Sequence, residues 1–110
     1  MGMLEKLLKF RADRNWEQFH SPKNLACSIS IESNELLELF QWSDECNNIE
    51  KVKQEVADIC IYLMYFCNDM HIDLLKAVEE KIAINESKYP VEKSKGNSVK
   101  YNKSKKGDIK

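Results

Sequence analysis

Three features of the 110-residue sequence predict an all-α fold. Apolar residues recur at three- and four-residue intervals in four separate stretches, the spacing of one helix face. Only 3 Gly and 2 Pro are present, little material for the turns of a sheet. Helix-starting residues also stand in front of the apolar runs, as Ser21-Pro22, Asn48 and Asp73. Together these predict a four-helix bundle over residues 1–90, followed by a basic, flexible tail at 91–110. About 90 residues bury only a marginal core once acidic groups occupy part of it, so oligomerisation is expected to complete the bundle.

The first helix is expected from Met3 to Arg14. Leu4, Leu7 and Leu8 form its apolar stripe, with Arg11 and Arg14 at helical spacing. Asn15 to Ser21 breaks it. That loop holds Trp16, Phe19 and His20 and admits two readings: aromatics folded back on the core, or a flat wall for a planar ligand.

The second helix starts at Ser21-Pro22 and is expected to reach about Ser43. With Glu32 at zero on a helical wheel, Leu25, Ile29, Leu36 and Leu39 fall within about 60° of it, and Glu35 lies about 60° to the other side. Two carboxylates thus sit on or beside the face that should be buried. Buried ionised carboxylates are costly without a cation or a strong hydrogen-bonding partner. Glu38 follows as a supporting partner or a solvated group, and Trp42 ends the helix as core or pocket wall.

Asn48 caps a third helix, Ile49 to about Met70. Ile49, Val52, Val56, Ile59, Leu63, Phe66 and Met70 form its expected core stripe. Glu55 and Asp58 repeat the three-residue acidic spacing, which puts both on one helix face, and Tyr62 and Tyr65 continue that side. The fourth helix, from about Leu74 to Tyr89, turns Leu74, Val78 and Ile82 to the core. It carries Lys81, Asn85 and Lys88 in a polar row that is either solvated or anion-binding. Pro90 stops it.

Composition narrows the function. Residues 1–90 carry ten basic and sixteen acidic side chains, while residues 91–110 carry seven Lys against two acids. A polynucleotide would be repelled by most of that acidic domain. No apolar run approaches the ~18 residues of a membrane span. Met1 to Leu8 has no leader pattern, so a cytoplasmic location with reduced cysteines is expected. Four carboxylates with no His three positions later argue against zinc and against a helical di-iron site. Hard oxygen ligands suit Mg²⁺, with Mn²⁺ as a substitute, and Mg²⁺ commonly bridges carboxylates to substrate phosphates.

Glu32-x-x-Glu35 followed by Glu55-x-x-Asp58 resembles the metal motif of the all-α MazG-like nucleoside triphosphate pyrophosphohydrolases. The stretches RNWEQFHSPKNL, ESNELLELFQW, EVADICIYL and KIAINESKYP resemble segments of the dCTP pyrophosphatase branch, in the same order, across most of residues 10–90. The resemblance implies Mg²⁺-dependent cleavage of a nucleoside triphosphate, dCTP and related deoxynucleotides first, to the monophosphate and pyrophosphate. It implies metal ligation by Glu32, Glu35, Glu55 and Asp58 and base contacts by Trp16, His20 and Trp42. Tyr62, Lys81, Asn85 and Tyr89 would contribute to substrate binding, with Lys88 joining Lys81 at the phosphates. It further implies a homo-oligomer, dimer at least and tetramer by preference, with a role in cleaning the nucleotide pool. The competing expectation is a non-catalytic helical dimerisation or nucleotide-sensing module.

Overall fold

The computed structural model of the chain describes residues 1–96; the tail expected to be flexible falls largely outside them. The described residues form helices α1 (Met3–Asp13), α2 (Pro22–Glu38), α3 (Ile49–Asp69), α4 (Leu74–Lys88) and a single turn, α5 (Val91–Ser94), with no strand among them. The chain divides into two units, Met1–Ile72 and Asp73 onward.

In the first unit α2 packs along α3, and α1 meets α3 over a shorter length. Both long helices begin as their caps require. Ser21 Oγ accepts from the Asn24 amide at 3.1 Å, with Pro22 in the first turn, and Asn48 Oδ1 accepts from the Lys51 amide at 3.1 Å. Asn15 and His71 close α1 and α3 in the left-handed region, at φ 54° and 57°. Each end carries the paired hydrogen bonds of a Schellman cap: Trp16 to Arg11 and Asn15 to Ala12, then Ile72 to Cys67 and His71 to Asn68. The first of these caps sets where Trp16 leaves the helix. A short 3-10 turn, Glu17–Phe19, then leads to His20.

Three expectations need correction. α2 ends at Glu38, short of Ser43, because Leu39, Phe40 and Gln41 bond three residues back and tighten the chain into turns. No Gly or Pro marks that exit. On α3, Ile49, Val56 and Met70 are exposed, while Tyr65 and Cys67 are buried with Leu25 and Arg11. At 21 residues α3 is four residues longer than α2, so α2 cannot cover its whole length. In the second unit α4 begins at the Asp73 cap, whose Oδ1 accepts from the Lys76 amide. Its Val78 and Ile82 are exposed, not core, and the other described helix of that unit is one turn long.

Candidate active site

The three-residue spacings on α2 and α3 work together because the two helices lie side by side. Carboxylate oxygens of Glu32, Glu35 and Glu55 all come within 4.8 Å of one another. Glu32 and Glu55 are half-buried and Glu35 is exposed. Oε2 of Glu32 and Oε2 of Glu55 are each fully buried without a hydrogen-bond partner. Two carboxylates can hydrogen-bond only by sharing a proton. That contact with Glu35 comes first in pushing the Glu32 pKa up to about 7, followed by burial and the charges of Glu35, Asp58 and Glu55. Burial is the leading cause of the upward shift at Glu55, then Glu35 and the charge of Asp58, with Lys51 opposing weakly. Ion pairs at Lys9–Asp13, Lys53–Glu50 and Arg11–Asp69 lie elsewhere.

A divalent cation fits this set. The ligands are hard oxygens, two of them buried and unpartnered, and their mutual repulsion is the electrostatic condition that a small, highly charged ion relieves. Asp58 stands outside the group of three but close enough for its charge to act on Glu32 and Glu55.

Asp58 also opens onto a cavity of about 280 Å³ in the same unit, lined by Leu7, Phe10, Trp16, His20, Asp58, Ile61, Tyr62 and Tyr65. This is near the lower end of the roughly 300–1,000 Å³ typical of ligand pockets. Trp16 meets Phe10 edge-on, at 5.7 Å between centroids. His20 lies 5.3 Å from the Tyr65 ring and 6.4 Å from Tyr62. The Tyr62 hydroxyl has a raised pKa through burial, then through the charges of Glu32, Asp58 and Glu35, so it bridges the carboxylates and the aromatic pocket. The loop aromatics Trp16 and His20 therefore line a cavity, while Phe19 is exposed.

Trp42 does not join this cavity: it stands 90% exposed in the turns after α2. Glu38, the last residue of α2, is exposed beside Asn34, Leu37 and Gln41. Lys81, Asn85, Lys88 and Tyr89 belong to the second unit, Lys81 and Asn85 exposed, Lys88 and Tyr89 half-buried. Sequence reasoning left Phe10 and Ile61 unassigned and read Leu7 only as core. It also missed the pairing of Arg11 with Asp69, because no local pattern links residues so far apart.

Comparison with known proteins adds an independent line. Residues 27–103 match the family model described as MazG-like. The chain is 37% identical to dCTP pyrophosphatase 1 of Rattus norvegicus over 102 residues, covering 84% of the chain and 60% of that protein. It is 36% identical to the Mus musculus protein of the same name over 110 residues, covering 92% and 65%. The chain thus spans about 60–65% of the length of these relatives. A crystal structure of a pyrophosphatase from Archaeoglobus fulgidus superposes with a TM-score of 0.76 at 43% identity, covering 80% of this chain and 89% of that one.

Proposed function

The chain belongs to the MazG-like family, and from that premise we propose that it hydrolyses a nucleoside triphosphate, dCTP first, to the monophosphate and pyrophosphate. One observation carries the reading: three carboxylates from two helices converge, two with buried unpartnered oxygens, next to an aromatic cavity that shares Asp58 and Tyr62. The names of the relatives support the same chemistry.

In this reading Glu32, Glu35, Glu55 and Asp58 hold Mg²⁺, for which Mn²⁺ substitutes. A bound divalent ion supplies Lewis acidity at phosphoryl oxygen and a more acidic water. The chain's own residues do the rest. Trp16 and Tyr62 present apolar ring surface to a base, and His20 presents a ring nitrogen to its edge. Lys81, Asn85 and Lys88 on α4 and Tyr89 at its C-cap are the groups of the second unit that the resemblance assigns to substrate, and Glu38 supports the acidic face. Asp58 and Tyr62, which belong to both subsites, keep base and phosphates in a fixed relation.

A second copy of the chain completes the structure. Ile31, Leu37, Trp42, Val56, Leu75 and Ile82 all expose apolar surface that a subunit interface would cover. Housekeeping of the nucleotide pool implies a cytoplasmic enzyme without membrane or polynucleotide partners; no helix among the described residues is long and apolar enough to cross a membrane. A panel of nucleoside triphosphates incubated with the purified chain and Mg²⁺ tests the proposal. dCMP and pyrophosphate are the expected first products from dCTP. dCDP with orthophosphate overturns the reaction, and absence of any turnover favours the non-catalytic module.

A further inference from the structure

Beside the aromatic cavity lies a buried cation. Arg11 is 6% exposed. Its Nη1 and Nη2 donate to the two oxygens of Asp69 at 2.8 and 2.9 Å, and its guanidinium lies over the Tyr65 ring, 4.7 Å from the centroid. Asn68 Nδ2 donates to the same Asp69 at 3.1 Å, and Tyr65 is itself tied to α1 by its hydroxyl, which donates to the Leu7 carbonyl at 2.7 Å. The guanidinium therefore has little freedom to turn. Nη1 also faces Nδ1 of His20 at 3.4 Å. A guanidinium carries donors only, so Nδ1 can meet it only with its lone pair. The proton of the neutral imidazole must then sit on Nε2.

Resting on the base pocket proposed above, we infer that Arg11 and Asp69 are positioning residues that hold His20 as the neutral Nε2–H tautomer. The cavity then offers a hydrogen-bond donor and selects a base edge presenting an acceptor, a carbonyl oxygen or an unprotonated ring nitrogen. Burial first, and the Arg11 charge second, also lower the His20 pKa, which disfavours the imidazolium that would have to donate toward a guanidinium. A base with a donor at that place sets two donors against each other and leaves both without partners. A polar site rejects such a mismatch far more strongly than an apolar pocket rejects a change of size. The Tyr65 and Tyr62 rings, 5.3 and 6.4 Å from the imidazole between centroids, restrict its plane.

The test is read first without any change to the cluster. His71 occupies φ 57°, a conformation that Asn accepts, so His71→Asn leaves His20 as the single imidazole of the full chain. Ring-nitrogen NMR on this protein at neutral pH should find the proton on Nε2. An Nδ1–H tautomer or an imidazolium overturns the inference. Asp69→Asn, which keeps volume and removes the anchoring charge, should let both tautomers appear. It should also raise KM for dCTP roughly tenfold with kcat within about twofold, and shrink by a similar factor the preference for dCTP over dUTP, whose N3–H puts a donor where cytosine has an unprotonated nitrogen. His20→Gln, whose amide keeps a donor, should retain more of that preference than His20→Leu. A folded Asp69→Asn protein with unchanged tautomer, KM and preference makes the ion pair a strut and refutes the positioning role, as does equal loss in His20→Gln and His20→Leu. Full turnover with an Nδ1–H ring sinks this inference alone; an Nε2–H ring with no turnover sinks the proposed reaction alone.

Discussion

Glu32 has an oxygen sealed from water and no donor to meet it, which ties the titration of the metal-free chain to its stability. Its folded pKa of about 7 stands above the ordinary 4.5. The folded state therefore keeps a proton that the unfolded chain has already released. That stabilisation is whole below about pH 4.5 and is lost as the pH rises through about 7. His20 acts in the opposite sense: its lowered pKa contributes stability above its ordinary 6.5 that disappears as the pH falls. Comparing the wild type with Glu32→Gln isolates the first effect. With chelator present, the wild type's Tm should fall relative to the variant between about pH 5 and 7.5, and saturating Mg²⁺ should abolish the decline. A pH-independent difference would mean that Glu32 is solvated. Trp16 gives a second residue-level prediction. Base stacking is worth ~1–3 kcal/mol, so Trp16→Ala should raise KM for dCTP about tenfold and flatten base preference. Steady-state kinetics on a nucleotide panel checks both effects, and an unchanged KM and preference would make Trp16 a packing residue.

At the scale of elements, helix starts were legible and helix ends less so. Ser21, Asn48 and Asp73 cap in the structure as their chemistry demands. Ser21→Ala should cost about 1 kcal/mol, measurable as a lower urea midpoint at unchanged m-value. An unchanged midpoint would mean that Pro22 alone sets the start. The exit of α2 was illegible because Leu39 to Gln41 contain no residue that refuses a helix; tertiary context stops it. The acidic face was readable because a carboxylate on a buried stripe conflicts with burial, and that conflict survives any error in helix length. Arg11 was not readable. By spacing it was only one of two arginines along α1, and the packing of α1 on α3 brings it to Asp69.

For the whole molecule, the described residues bury few large side chains. Leu25 is fully enclosed, while Leu75 is 76% exposed and Leu37 63%. Periodicity marked apolar stripes on α3 and α4, yet Ile49, Val56, Val78 and Ile82 of those stripes are exposed; periodicity cannot say whether a surface that covers them belongs to the same chain. Sedimentation at micromolar concentration should therefore find a dimer or tetramer and no folded, active monomer. A monodisperse active monomer would refute that expectation.

We propose that the carboxylates of α2 and α3 hold a divalent ion and that pyrophosphate release depends on it. The most direct test follows dCTP through ³¹P NMR as Mg²⁺ is returned to chelator-treated protein, alongside Glu35→Gln. That variant removes one ligand charge at nearly constant volume. Changes outside the ligand shell already cost 10–100-fold, so it should lose about 100-fold or more in rate while keeping its helical signal. No turnover is expected before Mg²⁺ is added, then dCMP and pyrophosphate in equal amounts from the wild type. Equal rates with and without chelator, or a Glu35→Gln protein as active as the wild type, would contradict it.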